Sequence, residues 1–123
     1  MSSLLIQPTD DTPKVTSDAG DITLDISGRS LPEDAITFYN PLIEWLKNYV
    51  QNAKPESNFV FHFEYISTSS TKQIMKLFLM INELAKSKKV NVTWKFDKDD
   101  EDMKQTGNRL QKLTSIEFNY QEV

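Results

Sequence analysis

The chain has 123 residues, 14 basic and 18 acidic side chains for a net charge of −4, one His and no Cys. That length fits one compact domain, and the missing Cys excludes disulfides, thiolate zinc sites, iron–sulfur ligation and cysteine nucleophiles. A Ser-His-Asp triad would depend on His62 alone, and the mild acidity argues against general nucleic-acid affinity.

The start, Met1-Ser2-Ser3-Leu4-Leu5-Ile6, has no basic segment and too short an apolar stretch for a secretion signal. No apolar run approaches the ~20 residues of a membrane span. The expectation is a cytoplasmic protein without membrane insertion. Charge is unevenly divided: residues 1–57 carry four basic and nine acidic side chains, and residues 58–123 carry ten and nine. The early acids Asp10, Asp11, Asp18, Asp21 and Asp25 read as a solvated rim of short strands and turns.

Pro8, Pro13 and Gly20 punctuate a polar stretch and predict turns between short strands. Residues 21–27 alternate polar and apolar, which predicts a half-buried strand ended by Gly28. Pro32-Glu33-Asp34 then suits a first helical turn. Ile36, Tyr39, Ile43, Leu46 and Val50 repeat at helical spacing, and Phe38, Leu42, Trp45 and Tyr49 widen the stripe. Asn40-Pro41 predicts either a kink or a turn with Asn40 capping a later helix.

Phe59–Ile66 is the strongest strand signal. Phe59, Phe61, Phe63 and Tyr65 fall on one face, and Val60, His62, Glu64 and Ile66 on the other. A helix follows to about Ser87, with Ile74, Leu77, Phe78, Ile81 and Leu84 as its core stripe and Met75, Leu79 and Met80 outside it. Residues 90–96 alternate again. A third helix begins over Asp99–Asp102, with Met103, Leu110 and Leu113 as its sparse apolar positions. Ile116, Phe118 and Tyr120 predict a last short strand. Strand–helix–strand units favour parallel neighbours, and the leading strands could pair as an antiparallel edge. The expected architecture is α/β: a single domain over residues 1–123, with a mixed sheet of four to six strands and about three helices.

Ser67-Thr68-Ser69-Ser70-Thr71-Lys72 lies where the strongest strand ends and a helix begins. One hydroxyl suffices for an N-cap, worth about 1 kcal/mol, yet five stand in a row. The functional reading is a phosphorylation switch. A phosphoryl group adds about −1.5 to −2 charges, which a helix N-terminus favours. A phosphate-binding loop is a poor alternative, because the run lacks every glycine of the Walker pattern. The acids Asp97, Asp99, Asp100, Glu101 and Asp102 fail a calcium loop, with Asp102 where Gly is wanted and Asn108 where Glu is wanted. They read instead as an acidic first helical turn. His62 reads as an ordinary strand histidine. Met75, Leu79 and Met80 read as core filler, with an adaptable partner surface as the alternative.

The motif Tyr65-Ile66-Ser67-Thr68-Ser69-Ser70-Thr71-Lys72 resembles the Y-[LI]-x-T-S-S-x-K signature of the SiaC-type bacterial regulatory phosphoproteins. Supporting matches are Pro8-Thr9, Thr12-Pro13, Gly28, Pro32-Glu33, Phe38-Tyr39-Asn40-Pro41, Trp45, Tyr49, residues 92–96, residues 99–103 and Gly107. Ser67 stands where Asn is frequent, and Thr71 where an apolar residue is common. The resemblance implies a fold similar to the STAS domains of anti-sigma-factor antagonists and partner switching without catalysis, cofactor or metal. It implies phosphorylation of Thr68 by a Ser/Thr kinase of the SiaB type, reversal by a PP2C-type phosphatase, and activation of a diguanylate cyclase by the unmodified form. Ser67, Ser69, Ser70, Thr71 and Lys72 would then be the local recognition surface. Two other classes compete: a small enzyme using His62 with the Asp99–Asp102 cluster, and a passive structural subunit in which Thr68 is buried and only caps.

Overall fold

A computed structural model describes residues 3–123, so Met1 and Ser2 of the chain start lie outside the described residues. Its elements in chain order are β1 (Leu5–Ile6), β2 (Lys14–Ala19), β3 (Ile22–Ser30), α1 (Ala35–Gln51), β4 (Glu56–Ile66), α2 (Thr68–Ala85), β5 (Lys89–Phe96), α3 (Glu101–Gln111) and β6 (Asn119–Glu122). The six strands form one sheet in unbroken sequence order. β1, β2 and β3 pair antiparallel, while β3, β4, β5 and β6 pair parallel. The α/β class, the mixed sheet and the antiparallel leading edge are therefore as the sequence predicts.

Right-handed crossovers between strands in sequence order place all three helices over the same face of the sheet. Burial agrees. Leu24, Ile26, Phe59, Phe61, Phe63, Val92 and Trp94 are fully buried under the helices. On the opposite face Asp25, His62 and Lys95 remain half-buried, and Val60 is the buried apolar exception. Burial raises the Asp25 carboxyl above its usual range, against the lowering effect of Lys95, Lys14 and His62.

α1 starts later than Pro32. Asp34 is its N-cap, and the helix then runs through Asn40-Pro41 without a break. Pro41 forfeits one backbone bond, which the packing of Leu42, Trp45, Leu46 and Tyr49 offsets. The buried stripe centres on those residues with Tyr39, so Ile36, expected inside, is 67% exposed.

The strand signal of β4 breaks phase at its end. Gly28 pairs with Phe63 but Arg29 pairs with Tyr65, so Glu64 is an extra residue and the strands bulge. One inserted residue exchanges the faces. Tyr65, expected with the phenylalanines, turns outward and is 47% exposed, with the Arg29 guanidinium 5.8 Å above its ring. Ile66 turns toward the core instead. Gly28 does not end β3; it holds the bulge at φ 117°, a region that side-chain-bearing residues avoid. Gly28→Ala is expected to cost about 1–3 kcal/mol in chemical denaturation. An unchanged midpoint would show that the bulge relaxes without its glycine.

In α2 the predicted stripe is buried as expected, and Leu79 is 50% exposed. α3 begins at Glu101 with Asp100 as cap, and buries Met103, Gly107 and Leu110. Leu113, expected on α3, falls beyond its end and is exposed. Ile116 and Phe118 precede β6 and do not belong to it.

Candidate functional site

The bulge delivers β4 to Ser67, whose extended backbone makes it the N-cap of α2. Its Oγ accepts the Ser70 N–H at 3.1 Å, and its own N–H donates to the Ser30 carbonyl at 2.8 Å. The cap is thus one particular hydroxyl of the five. Thr71 Oγ1 donates to the Ser67 carbonyl at 3.0 Å. Ser70 is fully buried, and its Oγ accepts from Ser30 Oγ and from Ser67 Oγ, each at 2.9 Å. Ser70 therefore cannot belong to the recognition surface expected of it, because a buried hydroxyl with two partners meets nothing outside.

Thr68 occupies the first helical position and is exposed. Its hydroxyl makes no hydrogen bond among the described residues. Ser69 is exposed too, with only a 3.3 Å contact to Ser67 Oγ. Lys72, also exposed, lies one helical turn beyond Thr68 on the same side. The passive-subunit reading would be favoured by a buried Thr68 serving only as cap; Thr68 is neither.

A cleft of about 850 Å³ opens beside this turn, between Glu33, Asp34 and Ile36 at the start of α1 and Thr68, Lys72 and Gln73 on α2, with Tyr65 also in its lining. Asp34 accepts from the Thr37 N–H at 3.1 Å and from Thr37 Oγ1 at 2.8 Å. Those bonds hold its carboxyl below the usual range. A depressed pKa contributes stability above the ordinary carboxylate pKa and loses it as pH falls through the lowered value. Asp34→Ala should therefore unfold at lower temperature than wild type at neutral pH, with the two curves converging in strong acid. A constant gap down to acid pH would sink the capping account.

His62 pairs with an acid outside the expected grouping. His62 Nε2 lies 2.9 Å from Asp97 Oδ1 on the open sheet face. The shallow depression beside His62 is lined by Pro8, Lys14, Ser27, Gly28 and Glu64, not by the later acids. Asp100 caps α3 by accepting the Met103 N–H at 3.0 Å, while Asp99 and Asp102 are exposed. Sequence reasoning gave Ser30, Glu33, Asp34 and Tyr39 no role at this site. Ser30 and Ser70 are 40 residues apart, so no local pattern joins them.

Fold and site together define a mixed α/β protein with a hydroxyl-rich helix start at the carboxyl edge of its sheet. Residues 6–123 match the model of the SiaC family of regulatory phosphoproteins, and the chain belongs to that family. An uncharacterized protein of Pseudomonas aeruginosa strain UCBPP-PA14 is 24% identical over 119 residues, covering 96% of this chain and 94% of its own. The solved SiaC of Pseudomonas aeruginosa superposes with a TM-score of 0.89 at 22% identity, covering 100% of each chain. Its apo form gives 0.85 at 22% identity, covering 98% of this chain and 99% of that one. SiaC bound to the diguanylate cyclase SiaD, which it activates, gives 0.90 at 22% identity, with coverage of 98% and 99%. These likenesses establish the fold. No helix of the described residues is long and apolar enough to cross a membrane.

Proposed function

We propose that this chain is a non-catalytic cytoplasmic switch whose partner choice is set by phosphorylation of Thr68. A kinase of the SiaB type adds the phosphoryl group and a PP2C-type phosphatase removes it. The unmodified form binds an output protein, a diguanylate cyclase, and so raises cyclic di-GMP and promotes biofilm formation. The observation that carries the reading is the state of the hydroxyl box: Ser67 caps, Ser70 is buried, Thr71 is bonded, and Thr68 is exposed and unbonded. Membership of a family of regulatory phosphoproteins supports it, as does a relative that works as activator of a cyclase. Ser67, Ser69, Thr71 and Lys72 would form the rim that kinase and partner read.

The mechanism is local. The unmodified cleft mouth offers hydroxyls, Ile36 and Tyr65 to a partner. A phosphoryl group there brings about two negative charges beside Glu33 and Asp34, with Lys72 as the nearby cation. A partner packed against the mouth must desolvate that charge or meet it with Arg or Lys. Intact mass and phosphosite mapping of protein from the native bacterium should find the phosphate on Thr68, and Thr68→Ala should lose it while retaining the cyclase in pull-downs. A chain never modified at Thr68 would end the proposal.

A further inference from the structure

Local sequence does not say which of five neighbouring hydroxyls caps α2, because Ser and Thr cap almost equally well. Slipping the helix start by one residue would make Thr68 the cap and release Ser67. Something outside the run must hold the register. Beneath it lies a series of hydroxyls joining three elements. Tyr39 Oη of α1 is 2.6 Å from Ser30 Oγ of β3, and Ser30 Oγ donates to Ser70 Oγ of α2 at 2.9 Å. Ser67 Oγ donates to the same Ser70 Oγ at 2.9 Å. Tyr39, Ser30 and Ser70 are all fully buried.

A hydroxyl has one proton to give. The proton of Ser30 goes to Ser70, so Tyr39 donates to Ser30. Burial pushes the Tyr39 phenol up to about 12, which keeps it a donor at physiological pH. The proton of Ser67 is committed to Ser70, and its lone pair to the Ser70 N–H. Ser67 is thus held from both sides, Ser69 can only donate to it across 3.3 Å, and Thr68 is the one hydroxyl of the five left without a bond among the described residues. We infer that Tyr39, Ser30 and Ser70 are positioning residues that hold Ser67 as the cap and thereby select Thr68, among five adjacent hydroxyls, as the phosphoryl acceptor. The selection rests on the proposed phosphorylation; the register itself does not.

α1 carries its own control. Tyr49 Oη is 2.6 Å from Ser57 Oγ, again a buried tyrosine on a fully buried serine, but at the amino-terminal end of β4 and away from the start of α2. Ser30→Ala and Ser57→Ala each remove a buried tyrosine–serine bond, and only the first also removes a bond to α2. The experiment compares wild type, Ser30→Ala, Tyr39→Phe and Ser57→Ala by amide hydrogen exchange and by phosphosite mapping from the native bacterium. In Ser30→Ala the Ser70 and Thr71 amides should exchange about tenfold faster, and phosphate should spread from Thr68 to Ser67 and Ser69. Tyr39→Phe, which keeps the Ser30–Ser70 bond, should shift both readouts in the same direction by less, and it carries the test if Ser30→Ala does not fold. Ser57→Ala should change neither. Unchanged exchange and site pattern in Ser30→Ala, or equal changes in Ser57→Ala, would overturn the positioning role while leaving Thr68 phosphorylation standing. Wild type without phosphate on Thr68 would instead overturn the selection together with the proposed switch, and the exchange comparison would still decide the register.

Discussion

Phosphorylated Thr68 is expected to weaken binding of the output partner by about a hundredfold or more, with Thr68→Glu giving a smaller loss and Thr68→Ala leaving affinity within about threefold. The magnitude follows from desolvation. Enclosing a charge without a partner costs about 2–5 kcal/mol, and each 1.4 kcal/mol is a factor of ten. The acidic wall of Glu33 and Asp34 adds like charge to the same cleft. Within the free protein the effect has the other sign. A phosphate on the first residue of α2 sits at the positive end of the helix dipole, one turn from Lys72. The phosphoprotein should therefore melt no lower than the unmodified chain. Calorimetric titration of both forms against the cyclase, with melting curves alongside, separates repulsion from unfolding. Equal affinities would refute the charge mechanism, and a lower melting temperature would point to damage at α2.

The second large effect is expected at Trp94, the centre of the helix-covered core. Its indole is fully buried, within 6.4 Å of the rings of Phe61, Phe63, Phe78 and Phe118 by centroid distance. Its N–H donates to the Met103 carbonyl at 3.0 Å, which ties β5 to the first turn of α3. Trp94→Ala would leave a large cavity and cut the indole's tie to α3, at a cost of about 3–5 kcal/mol. Gly107 is the companion position. A Cβ there would stand 2.6 Å from Cδ1 and Nε1 of Trp94, closer than atoms pack. Helix propensity alone would make Gly107→Ala stabilising by about 1 kcal/mol. The surrounding rings give the indole nowhere to go, so a loss of about 1–3 kcal/mol is expected in chemical denaturation. A gain in stability would mean that α3 shifts freely off the sheet.

Most of the fold was legible because each element carries its own period. Phe59, Phe61 and Phe63 alternate over a covered sheet face, and Ile74, Leu77, Phe78, Ile81 and Leu84 repeat at helical spacing. The errors fall where a distant partner overrides the period. Ile36 fits the stripe of α1 by spacing, yet it stands at the cleft mouth where no element covers it. Tyr65 fits the phenylalanine face, yet the bulge opposite Gly28 reverses it. Both residues line the cleft, so these two lapses coincide with the candidate site, whereas Leu113 lies beyond the end of α3.

At the site itself the division is similar. The Ser-Thr run after a strong strand is a property of local sequence, and so is the expectation that one hydroxyl caps a helix there. The absence of Cys and the single His, His62, likewise narrow the chemistry before any fold is known. Which hydroxyl caps, which is buried and which is free was decided only in three dimensions. Ser30 and Tyr39 reach the run through a sheet neighbour and a helix packed above it. Adjacent Ser and Thr residues are almost equivalent as caps, so their difference comes from contacts that chain neighbours cannot supply.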